Sequence, residues 1–133
     1  MCVAGTRWVQ TELLKKYPSA NLRVYAVWLN MMPADSRSKW PATLLTDSRV
    51  THRWDEGKVV GRWFAPRTPG IKPQLAPGSA WGDGEILWDA YLLYGTDARW
   101  DETPTGLIHW GRTIVAGREP LKEDFERLFG SKK

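Results

Sequence analysis

The chain has 133 residues, 42% hydrophobic and 26% charged, with a net charge of +4 and a pI near 9.4. That length fits one domain with a core of its own, and no apolar run approaches the ~20 residues that span a bilayer. The basic residues are scattered rather than gathered into a stripe, which argues against a nucleic-acid partner, and one cysteine, Cys2, excludes an internal disulfide.

His52 and His109 are the only histidines, so the three or four ligands of a dedicated zinc site are not available. No cofactor is implied. The first residues lack the basic start and apolar block of a secretory signal, so the chain as it stands reads as cytoplasmic. Nine tryptophans are spread over all the predicted elements but the last helix. Such spacing favours a large core and its rim; a sugar- or base-stacking surface would need several of them exposed on one face.

Residues 4–17 predict an amphipathic helix, with Val9, Leu13 and Tyr17 at four-residue spacing, a Glu12–Lys16 pair, and Pro18 as the stop. Residues 22–29 predict a strand whose second half is continuously apolar. Pro33 to Ser36 reads as a turn, followed by a short helix broken or restarted at Pro41. From Arg49 to Trp54, Val50, His52 and Trp54 alternate with Arg49, Thr51 and Arg53, the pattern of a half-buried strand.

Asp55 is placed to cap a helix over 57–64, where Val59 and Trp63, and Val60 and Phe64, recur at i,i+4. Residues 65–84 hold four prolines and four glycines and have no period; a stretch of this kind is a functional loop or an irregular insertion. Ile86 to Tyr94 is the longest nearly uninterrupted apolar run, bounded by Gly84 and Gly95, and predicts a strand covered on both faces at the centre of a sheet. Its one polar member is Asp89, a carboxylate that is costly to bury alone. A polar loop follows. Gly106 to Trp110 then predicts the antiparallel return of a hairpin, extended by Thr113 to Ala116. The last element is a helix over 120–129, with Leu121, Phe125 and Phe129 on one face and Gly130 at its end.

The resulting order is α, β, α, β, α, β, β, α. With Cys2 at a helix start, this order resembles that of the thioredoxin-like superfamily, in which β-α-β is followed by β-β-α and a Cys-x-x-Cys motif opens the first helix. The resemblance implies an α/β, thioredoxin-like fold: a mixed central sheet with flanking helices and a helix-strand-helix insertion between residues 35 and 64, in a single domain over 1–133. It also implies a relation to the thiol–disulfide oxidoreductases, with protein thiols or disulfides as partners.

Three departures qualify it. No strand precedes the first helix. Cys2 matches the second, resolving cysteine of the motif, with Met1 in the preceding position. The proline that the family places before the strand matching 86–94 is absent, the nearest being Pro77. The resemblance therefore implies a chain lacking the N-terminal strand and first cysteine, with little or no exchange activity, because dithiol–disulfide exchange needs two sulfurs. The other reading of Cys2 is an ordinary near-terminal cysteine.

In the thioredoxin-like reading, Cys2 gains thiolate character from the helix N-terminus. Asp89 is a candidate proton acceptor for it, or else caps a loop or pairs with Arg62 or Arg99. Glu85, Trp88 and Trp81 become candidate substrate-binding residues, and loop 65–84 a lid. A missing strand between 22–29 and 86–94 would expose sheet edges prone to self-association. The reading from a different class is a non-catalytic binding or scaffold module using its Trp-rich surface or the 65–84 loop.

Overall fold

The computed structural model describes residues 2–29, 44–68, 86–88 and 90–130, with Cys2 and Arg112 described by backbone alone. It is a mixed α/β structure: among the described residues, three α-helices and two small two-stranded sheets. The turn and helix expected between Pro33 and Pro41, and most of the loop 65–84, lie outside the described residues. The chain divides into two compact units, Met1–Val24 with Ala42–Thr51 and Asp89–Lys133, and Tyr25–Pro41 with His52–Trp88.

The first unit opens with helix α1 (Cys2–Trp8), which widens into a π-helical segment over Val9–Leu14. The widening shows in the Lys15 amide donating to the Gln10 carbonyl five residues back, at 2.9 Å. The Thr11 hydroxyl, bonded to the Arg7 carbonyl at 2.9 Å, competes locally for backbone acceptors. The expected apolar stripe survives, and Glu12 and Lys16 form their pair.

The carbonyls that end this helix are collected by one side chain. Arg49 donates Nη1 to the Tyr17 and Ala20 carbonyls and Nη2 to the Leu14 carbonyl, all at 2.9 Å. Its Nε and remaining Nη2 proton go to the two carboxylate oxygens of Asp47 at 2.8 and 2.7 Å. A guanidinium has five N–H donors, and all five are used.

Strands β3 (Ala90–Tyr94) and β4 (Leu107–Arg112) form the predicted antiparallel hairpin, from Ala90 opposite Arg112 to Tyr94 opposite Leu107, with an irregularity at Leu93/Tyr94. The turn between them closes through the Gly95 amide and the Gly106 carbonyl at 2.9 Å. Gly106 has φ +79, and a Cβ there would lie 2.9 Å from the Ala98 Cα, so only glycine fits this position without strain.

The expected extension of the strand over Thr113–Ala116 is instead a turn. The Thr113 side chain and carbonyl take the amides of Ala116 and Gly117, which removes them from any ladder. Helix α3 (Arg118–Phe129) follows. Leu121 and Phe125 pack with Leu13 in one core, joined by Val9, Tyr17, Tyr91, Leu93 and Phe129.

In the second unit, β1 (Val24–Leu29) and β2 (Val50–Asp55) pair as a parallel two-stranded sheet whose first residues fall in the first unit. Helix α2 (Val59–Phe64) starts after Lys58, a non-glycine residue at φ 57. Asp55 does cap it, but from further back than expected. Its two carboxylate oxygens accept the amides of Val59 and Val60 at 2.9 and 2.8 Å.

The nine-residue central strand expected at 86–94 is not one element. Ile86, Leu87 and Trp88 are deeply buried but lie outside any strand, and they belong to the second unit. The Leu87 amide donates to the Gly61 carbonyl of α2 at 3.0 Å rather than to a neighbouring strand. Among the described residues of this stretch, Ala90–Tyr94, in the first unit, is the strand, and it pairs with β4 alone. Continuous apolarity is the signature of burial, which an irregular segment satisfies as well as a strand does.

Candidate functional site

Cys2 is the first residue of α1, while its side chain lies outside the description. Asp89, Glu85 and Trp81 also lie outside the described residues. Trp88 is described and is 9% exposed, part of the buried segment of the second unit. Cys2 and Asp89 fall in the first unit; Trp81, Glu85 and Trp88 fall in the second.

The structure assembles a polar cluster elsewhere, in the first unit, that the sequence reading did not anticipate. Tyr91 of β3 lays its ring into a slot made by two glycines. A Cβ on Gly111 would lie 2.6–2.8 Å from the ring and hydroxyl, and one on Gly117 would lie 2.8 Å from the ring edge. The Tyr91 hydroxyl is 2.7 Å from Nδ1 of His109 on β4 and 3.2 Å from the Gly117 carbonyl ahead of α3. Nδ1 of His109 also lies 3.7 Å from Asp124 of α3, whose other carboxylate oxygen pairs with Arg127 at 2.7 Å.

Burial, then the negative charge of Asp124, pushes the Tyr91 phenol up to about 12, so it keeps its proton at neutral pH. Two signals for this cluster were present in the sequence. Asp124 sits beside Phe125, next to the apolar face of α3, and is itself 9% exposed. Gly111 faces Tyr91 once the hairpin register is drawn; a glycine within a strand marks a close approach.

His52 has a different setting. The Trp28 indole N–H donates to its Nδ1 at 3.1 Å, with the two ring planes 4° apart. Both histidines thus have a polar contact with an aromatic side chain, Trp28 for His52 and Tyr91 for His109. At Asp47, the Arg49 guanidinium and amide hold the carboxyl down to about 2.

Of the seven tryptophans described, Trp28 and Trp88 are buried, four are half-buried, and Trp100 is 55% exposed. Trp100 packs edge-on to Tyr94 at 5.5 Å. Among the described residues no group of three or more His, Cys, Asp or Glu side chains could hold a metal ion, and no helix is long and apolar enough to cross a membrane.

The structure is a mixed α/β protein with a tyrosine–histidine–aspartate cluster in its first unit. No family model, no curated protein and no solved structure matches the chain.

Proposed function

We propose that the chain is a single-sulfur relative of the thiol–disulfide oxidoreductases with a thioredoxin-like arrangement, able to form a mixed disulfide but not to turn disulfides over alone. The observation that carries this reading is the placement of Cys2. It opens the helical stretch whose Leu13 shares a core with Leu121 and Phe125 of the terminal helix. One further feature supports it: an antiparallel hairpin precedes the last helix.

A thiol at a helix start reacts as thiolate at lower pH than a free cysteine, whose pKa is about 8.5. Attack on a disulfide forms one S–S bond and releases one thiolate. Resolution of that mixed disulfide needs a second sulfur, from outside the chain. The test is the reaction of the purified chain with a small aromatic disulfide and then with a protein disulfide, no other thiol being added. One equivalent of released thiol with no turnover supports the reading. Sustained turnover, or a Cys2 no more reactive than a free peptide cysteine, overturns it.

A non-catalytic binding module is the second reading, favoured by the exposed apolar residues of the hairpin. Trp100 is 55% and Ile108 40% exposed, with Tyr94 packed against Trp100. A neutral quencher should act on a component of the tryptophan fluorescence that Trp100→Phe removes. With one tryptophan more than half exposed among those described, a stacking platform for sugars or single-stranded nucleic acid has less support.

A further inference from the structure

We propose that His109 is a proton-accepting site whose basic nitrogen is Nε2, set by a hydrogen-bond chain running from Nδ1–H through the Tyr91 hydroxyl to the Gly117 carbonyl. This is independent of any role for Cys2.

A tyrosine hydroxyl has one proton to donate and accepts through its oxygen. Tyr91 stands 2.7 Å from His109 Nδ1 and 3.2 Å from the Gly117 carbonyl. If the phenol donated to Nδ1, its oxygen and the Gly117 carbonyl would face each other with no proton between them. If Nδ1 carries the proton, both contacts are hydrogen bonds. Two other features point the same way. A carboxylate oxygen of Asp124 lies 3.7 Å from Nδ1, so a hydrogen on that nitrogen faces a negative group, where a lone pair would be repelled. The phenol retains its own proton at neutral pH because burial and Asp124 disfavour its ionisation.

The tautomer follows from this chain. With Nδ1 protonated, Nε2 of the neutral ring is left with a lone pair, on a side chain that is 34% exposed. A proton arriving at Nε2 makes an imidazolium without any side chain moving. Nδ1–H still donates to Tyr91, Tyr91 still donates to Gly117, and Asp124 already faces the new charge. Among the described residues, the titratable and charged groups placed around the ring are Tyr91 from β3 and Asp124 and Arg127 from α3, with Arg127 neutralising part of the Asp124 charge. The glycines at 111 and 117 are what let the phenol reach both partners. The cluster is therefore a preset acceptor for a proton from a weakly acidic group, such as a thiol or hydroxyl brought to Nε2.

The molecule contains its own reference. The Trp28 indole is a donor only, so Nδ1 of His52 must accept and the neutral His52 ring carries its proton on Nε2. The two histidines are expected to be opposite tautomers. Long-range 15N–1H correlation spectra of the intact 15N-labelled chain, above the pH at which both rings are neutral, read this directly, with His52→Gln assigning the signals. The expected result is Nδ1–H for His109 and Nε2–H for His52. In Tyr91→Phe, His109 should shift toward Nε2–H, the usual form in water. A neutral His109 found as Nε2–H in the unsubstituted chain overturns the proposal, and that spectrum needs no variant to fold. A His109 tautomer unchanged in folded Tyr91→Phe overturns the role of the tyrosine.

Discussion

Each of the two units has its own internal means of cohesion. In the first, polar side chains reach across the chain to collect backbone carbonyls: Arg49 closes the end of the first helix through three of them, and Tyr91 reaches a fourth at Gly117. In the second, backbone meets backbone at Gly61, whose missing side chain lets α2 lie against Ile86 and Leu87, and Asp55 caps the helix beside it. The first unit depends on donors being in the right number, the second on atoms being absent. Conservative substitutions should therefore fail for opposite reasons: a shorter hydrogen-bond inventory in the first unit, an added methyl in the second.

The largest effect expected is in the shared core of the first unit. Phe125 is 2% exposed and touches Tyr17 and Phe129, and Phe125→Ala should cost about 3–5 kcal/mol by denaturant unfolding. Next comes the pair of substitutions that sharpens the contrast. Arg49→Lys keeps the charge but offers three donors where five are used, leaving helix-end carbonyls without partners. It should cost about 2 kcal/mol. Gly61→Ala would place a Cβ 2.8 Å from the Leu87 carbonyl and 2.9 Å from Ile86 Cγ2, and should cost about 1–3 kcal/mol by overpacking. It should also speed amide exchange at Leu87, the donor to Gly61. If Arg49→Lys is neutral while Gly61→Ala is severe, the polar account of the first unit is wrong.

Smaller effects follow. Asp55→Ala should cost about 1 kcal/mol, the loss of a helix cap. The acid limb of stability gives the smallest. Asp47 has its carboxyl held down to about 2 by Arg49, below its ordinary value near 4. Its contribution is complete above about pH 4 and is lost as the pH falls toward about 2. Asp47→Asn should flatten that part of a stability-versus-pH curve; an unchanged slope contradicts the pairing.

What could be read from the sequence was local. The stripe of Val9, Leu13 and Tyr17, the Leu121–Phe125–Phe129 face, the hairpin return and the capping role of Asp55 all follow from spacing alone, and the structure contains each of them. What could not be read was which partner each group meets. Arg49 looked like the polar member of an alternating strand, because its five acceptors are spread over four residues, Leu14, Tyr17, Ala20 and Asp47. Ile86–Trp88 looked like strand because burial and strand share one pattern. The Tyr91 cluster was hidden because the phenol sat inside an apolar run and its slot is made by glycines, which carry no pattern. Of the residues expected to form a site, Trp88 is in the buried core and Cys2 opens a helix; the others lie outside the described residues.

The proposal that the chain is a single-cysteine relative of the thiol–disulfide oxidoreductases rests on one side chain and can be tested on it. The most direct measurement is thiolate release from a small aromatic disulfide by the purified chain as a function of pH, continued with a protein disulfide and no other thiol added. The account predicts one equivalent released per chain, with a midpoint below the free-cysteine value of about 8.5, and no sustained turnover. Catalytic turnover by this chain, or a Cys2 that titrates and reacts like a free cysteine, would contradict it.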